Sequence, residues 1–161
     1  MIHFLDEALE ACIKSDAVLS EQVALSFGVP NQEWIASLTG PAINVFLWRI
    51  TKDESRSSSG MIESQDPNGG PKIRRAPFPR IALSYFVSAH AQQVADEHFL
   101  LGQVAKSGLA NKRLPDEFLN EDLKEIDEPY YLSLSTEFPQ LSMDFWRSVG
   151  APLKSGFDLR L

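Results

Sequence analysis

The chain has 161 residues, enough for one domain at roughly 100–200 residues each. Its 43% hydrophobic and 23% charged residues match a globular protein rather than a disordered tail, and no apolar run approaches the roughly 20 residues a membrane helix needs. A net charge of −7 argues against a DNA- or RNA-binding surface, which requires a basic footprint.

The N-terminus, Met1-Ile2-His3-Phe4-Leu5-Asp6-Glu7, lacks the basic start and small-residue cleavage site of a secretory signal. Ile2, Leu5, Leu9, Cys12 and Ile13 recur at three- and four-residue spacing opposite Asp6, Glu7, Glu10 and Lys14, which predicts an amphipathic opening helix. Cys12 has no partner for an internal disulfide, and its apolar neighbours predict a buried, inert thiol suited to a reducing cytosol. Val23, Leu25 and Phe27 alternate as a half-buried strand, and Asn31 is placed to cap a short helix carrying Trp34 and Ile35.

Ala42 to Ile50 is apolar on both faces, as in a central strand covered on both sides; Asn44 is its one polar exception. From 52 to 79 the pattern gives way to Ser, Gly, Pro, Asn and charge, a long loop that is expected to order on binding, with Met61 and Ile62 as an apolar anchor. Alternation returns from Arg80 to His90. A helix capped by Asp96 follows, with His98, Leu101, Val104, Ala105 and Gly108 as its stripe. Pro115 to Leu119 suggests a short helix, Tyr130, Leu132 and Leu134 a strand, and Leu141, Phe145, Trp146 and Val149 a last helix ended by Gly150. Phe157, Leu159 and Leu161 open a final strand that stops at the last residue, which suggests truncation or an extension beyond it and puts completion of that edge in doubt. The order is that of a single-domain α/β protein, a mixed sheet flanked by helices.

Chemical signatures are sparse. His90, Asp96, Glu97 and His98 are close in sequence, yet their spacing matches no zinc motif, and adjacent helical residues diverge by about 100°. There is no P-loop, no GxGxxG and no nucleophile elbow, so neither a nucleotide nor any other cofactor is expected. A metal-dependent hydrolase using His90 and His98 remains as an alternative. Charge, by contrast, is segregated: Lys72, Arg74, Arg75 and Arg80 cluster, while Asp116, Glu117, Glu121, Asp122, Glu125, Asp127 and Glu128 form an acidic run relieved by Lys124. These are either two solvated faces or complementary docking patches.

An ordered series of segments carries a resemblance. SFGVPNQEW from Ser26, NVFLW from Asn44, LSY from Leu83, DEHFLLG from Asp96 and FWRSVG from Phe145 resemble the tail-terminator (cap) proteins of extracellular contractile injection systems, over nearly the whole chain. Phe145-Trp146-Arg147-Ser148 stands where that family often has Leu-Trp-Ser-Ala. The resemblance implies a tail-terminator-like fold and a non-enzymatic role: a homohexameric ring capping the baseplate-distal end of a phage-tail-like particle, assembled in the cytoplasm. Its implied partners are itself, the inner-tube protein and the sheath protein, with no nucleic acid and no membrane insertion. Another adaptor of such a particle, in the baseplate or collar, is the second reading. Interface candidates are Arg56, Lys72, Arg74, Arg75 and Arg80 on the basic side and Glu121, Asp122 and Glu125 on the acidic side.

Overall fold

The computed structural model describes residues 1–16, 19, 22–53, 62–64, 73–75, 80–126, 128–135 and 143–161. In chain order these form α1 (Ile2–Asp16), β1 (Ala24–Ser26), α2 (Gln32–Ser37), β2 (Ala42–Lys52), β3 (Ile62–Ser64), β4 (Ile73–Arg75), β5 (Ile81–His90) and α3 (Val94–Ala110). A 3-10 turn (Asp116–Phe118), α4 (Glu121–Lys124), β6 (Ser133–Leu134), α5 (Met143–Ser148) and β7 (Gly156–Arg160) complete them. The chain divides into two compact units, Met1–Arg49 with Ser84–Leu161, and Ile50–Leu83.

A mixed five-stranded sheet in the order β1-β2-β5-β7-β6 organises the structure. β1 runs parallel to β2, with Leu25 opposite Ile43, and such a pair needs a crossover; α2 lies in the connection. Asn31 caps α2 as its position in the sequence predicts, its Oδ1 accepting from the Trp34 N–H at 2.8 Å. β7 runs antiparallel to both β5 and β6, with Tyr85 opposite Leu159 and Leu134 opposite Leu159 from the other side. The final strand is therefore paired on both sides.

Two faces of β5 explain the layers. Tyr85, Val87 and Ala89 are buried on one, and the Tyr85 hydroxyl donates to Asp6 Oδ1 of α1 at 2.7 Å. On that side α1 contributes Leu5, Leu9, Cys12 and Ile13 to the core, as its spacing predicts. α3 joins it through Gly108, where an added Cβ would lie 3.0 Å from Leu159 Cδ1. On the other face Phe86 meets Trp146 of α5 edge-on at 5.7 Å, Phe46 stacks on Phe145 at 5.5 Å, and Trp48 Nε1 donates to the buried Asp158 carboxylate at 3.2 Å. Helices thus cover both faces of a buried central strand. Gly150, at φ 67°, ends α5 by letting the Ala151 N–H reach the Trp146 carbonyl at 3.1 Å.

Three expectations shift. α3 begins at Val94 behind Gln93, so Asp96 sits inside its first turn rather than capping it. The buried stripe of α3 is Leu100, Val104, Ser107 and Gly108, and His98 is exposed, because the helix is turned to bring Leu100 rather than His98 onto the sheet. Within 52–79, read as a long loop, β3 and β4 pair antiparallel, with Glu63 opposite Arg74; three-residue strands are too short to leave an alternation signal. Met61 and Leu141 lie outside the described residues. The second unit also holds the ends of β2 and β5, joined where the Asp53 N–H donates to the Arg80 carbonyl at 2.8 Å.

β5 and β7 approach so closely at Gly156 that a Cβ there would stand 2.5 Å from Phe86 Cζ and closer still to the Val87 carbonyl oxygen. Gly156→Ala is expected to lower stability by about 1–3 kcal/mol. Gly102→Ala, on the exposed face of α3 where a Cβ meets nothing within 4 Å, is expected to raise it by up to about 1 kcal/mol. Urea denaturation midpoints of the two variants measure both effects.

Candidate functional site

Polar chemistry converges where β5 hands over to α3. His90, the last residue of β5, is only 4% exposed. Its Nε2 lies 3.2 Å from Ser88 Oγ, two residues back on the same face of the strand, and its ring meets Trp34 of α2 edge-on at 5.0 Å. Nδ1 has no hydrogen-bond partner among the described residues. Glu97, in the first turn of α3, reaches back to accept from the Ala91 N–H at 3.1 Å and pairs with Lys154 from the segment before β7. That one carboxylate ties the turn between β5 and α3 to a segment 57 residues further along the chain.

Burial pushes the His90 imidazole down to about 4, Lys154 adds to the depression and Glu97 opposes it, so the ring is neutral near pH 7. Burial alone would raise Glu97, but the hydrogen bonds from Lys154 and Ala91, with the Lys154 and His90 charges, hold it below the usual carboxylate range. On the far face, burial raises Asp6 against the opposing Tyr85 hydrogen bond.

The cluster opens onto a cleft of about 700 Å³. Ile35, Leu38, Pro41, Phe99, Leu100 and Pro152 form its apolar wall, and His90, Gln92, Asp96 and Lys154 its polar part. Phe99 is 59% exposed at the rim. His98, the other half of the histidine pair suggested by spacing, is solvent-exposed while His90 is buried, so the two do not converge. Among the described residues no group of three or more His, Cys, Asp or Glu is arranged to hold a metal ion.

The charged candidates fall elsewhere. Glu121 and Asp122 are exposed in the first turn of α4 and Glu125 is its exposed C-cap, so the fold does gather these three. Glu121 also meets Lys124 at 3.5 Å, an exposed pair that contributes little to stability. Arg74 and Arg75 are consecutive on β4, and Arg80, half-buried, precedes β5. Arg56 and Lys72 lie outside the described residues. Sequence reasoning missed Lys154 and the cleft: a lone lysine between prolines and glycines carries no signal of a partner 57 residues away.

Comparisons with known proteins agree with this architecture. A family model described as the Pvc16 N-terminal domain matches residues 1–161. The sheath/tube terminator of an extracellular contractile injection system (PVC), in its extended state, has a similar fold, with a TM-score of 0.70 and 17% identity over 99% of this chain. The tube-terminating cap of the anti-feeding prophage is similar with a TM-score of 0.63 and 15% identity over 97% of this chain. The chain spans about half of each, 54% and 51% respectively. A search of curated proteins gives no match.

A neutral imidazole held near 4 in the fold, against 6.5 when exposed, means that the unfolded chain takes up its proton first as pH falls. The fold is unpenalised above pH 6.5 and loses stability as pH drops from 6.5 toward 4. His90→Gln removes this cost, so the stability gap between wild type and variant is expected to narrow by about 2–3 kcal/mol between neutral and acid pH. Chemical denaturation of both proteins across that range measures the gap.

Proposed function

Because the chain belongs to the Pvc16 N-terminal-domain family, we propose that it is a structural terminator of a contractile injection system, part of the cap at the baseplate-distal end of the particle. The observation that carries this reading is the similarity of its mixed-sheet fold to a sheath/tube terminator and to a tube-terminating cap. In this role six copies close into a ring that stops growth of the inner tube and sheath and holds their last layers together. The chain assembles into the particle in the cytoplasm, contacts neither nucleic acid nor membrane, and catalyses no reaction.

Physical features of the chain suit such a part. A ring requires head-to-tail contacts between different patches of one subunit, and the charged segments supply candidates. Arg56, Lys72, Arg74 and Arg75 meet an acidic surface on the tube, the sheath or an adjacent copy, with Arg80 beside them. Glu121, Asp122 and Glu125, gathered on α4, form an acidic counterpart. The contacts of His90 support a structural part: they join β5 to α2, while the Glu97–Lys154 pair holds the start of α3 to the approach of β7.

Electron microscopy of particles made with and without this protein tests the reading. Over-long or ragged tubes are expected in its absence, and normal lengths and ends would overturn it. Particles carrying Arg74→Glu with Arg75→Glu are expected to lack the cap while the purified variant keeps the wild-type circular dichroism spectrum. Capped, normal-length particles from that variant would remove the arginines from the interface.

A further inference from the structure

The two ends of α3 are complementary to one another, and they cannot meet within one molecule. At the N-terminal end lies the cleft, with its apolar wall, the exposed Phe99, and His90 Nδ1, which is buried and has no partner among the described residues. Gln93 gives the helix no side-chain cap there. Glu97 and Lys154 neutralise each other, which leaves the exposed Asp96 to set the sign of the cleft. At the C-terminal end Leu109 is 67% exposed. The charged residues nearest it in sequence, Lys106, Lys112 and Arg113, are basic and exposed.

We infer that the cleft of one copy receives the C-terminal end of α3 from the next, with Leu109 as the apolar anchor. The inference rests on the terminator reading and names a contact by which its subunits join. Leu109 stands thirteen residues beyond Asp96, roughly 20 Å along the axis and on the far side of the helix at 3.6 residues per turn. A donor and an acceptor so placed generate a head-to-tail contact, which propagates from copy to copy and closes into a ring when the rotation permits. The polar terms favour the same arrangement. The basic residues of the incoming end approach Asp96, and the carbonyl end of one helix points toward the uncapped N–H end of the next, the favourable order for helix dipoles.

A cysteine placed at each end distinguishes this contact from its alternatives. Q92C lies on the cleft lining and L109C at the anchor, both exposed, and the buried Cys12 is replaced by serine. Particles carrying the double variant, oxidised and then denatured, are expected to release a covalent ladder of dimer, trimer and larger species, whereas each single variant releases no species above dimer. Leu109→Asp is expected to strip the protein from particles while its thermal melt stays within a few degrees of wild type. Monomer and dimer bands alone from the double variant, with normal amounts of protein in the particles, would overturn the contact and leave the terminator reading standing. So would a band joining Q92C to a tube or sheath subunit in place of the ladder. Absence of the wild-type protein from purified particles would instead overturn the terminator reading itself.

Discussion

Strand β5 is buried from Ala82 to His90, with helices packed on both of its faces and neighbouring strands on both of its edges. A strand in that position exposes nothing to water, so each polar group it carries must find a partner inside the protein or contribute a cost. The consequences run outward from this constraint. Tyr85 is usable only because α1 brings Asp6 to its hydroxyl. Ser88 and His90 share a hydrogen bond on the opposite face, and Trp34 closes over the ring. On the edge shared with β7, Gly156 lets the two backbones come together where a larger residue would strike Val87 and Phe86. The order of the sheet, the placing of α1 and the floor of the cleft all follow from burying this one strand.

The same constraint explains why a group of catalytic-looking residues has a structural character. A histidine beside a serine, with a carboxylate and a lysine nearby, is the kind of set that invites an acid–base reading. Its geometry connects elements. Glu97 divides its acceptor capacity between the Ala91 N–H and Lys154, fixing the turn between β5 and α3 to the segment that leads into β7. His90 is held neutral by burial and lies against Trp34. These contacts tie the end of the central strand to α2, to α3 and to the approach of β7.

Periodicity made much of this legible. The stripe of α1, the twin apolar faces of β2, the alternation of β5, the Asn31 cap and the Gly150 stop each depend on residues within one or two turns of one another, so local pattern suffices. The stripe of α3 was misplaced for an instructive reason. Phe99, Leu100 and Leu101 are consecutive, and an apolar run of three does not state which member faces the sheet. Packing against Leu159 and Leu134 at Gly108 settles the rotation. β3 and β4 were invisible because three residues cannot display a period of two, and their pairing is specified by each other rather than by either alone.

Local pattern and composition were enough for the class of the fold, the acidic balance that argues against nucleic acid, and an ordered set of segments similar to one family of particle caps. These are properties of composition and of neighbours along the chain. Only the tertiary structure decided that β7 is paired on both sides, that His90 is buried while His98 faces water, and that Lys154 completes a pair with Glu97. It also decided that a cleft opens near the start of α3 while Leu109, near its end, stands exposed. Each of these depends on contacts between residues far apart in the chain. Their energies come from burial and pairing that exist only once the layers have closed, and no local pattern encodes them.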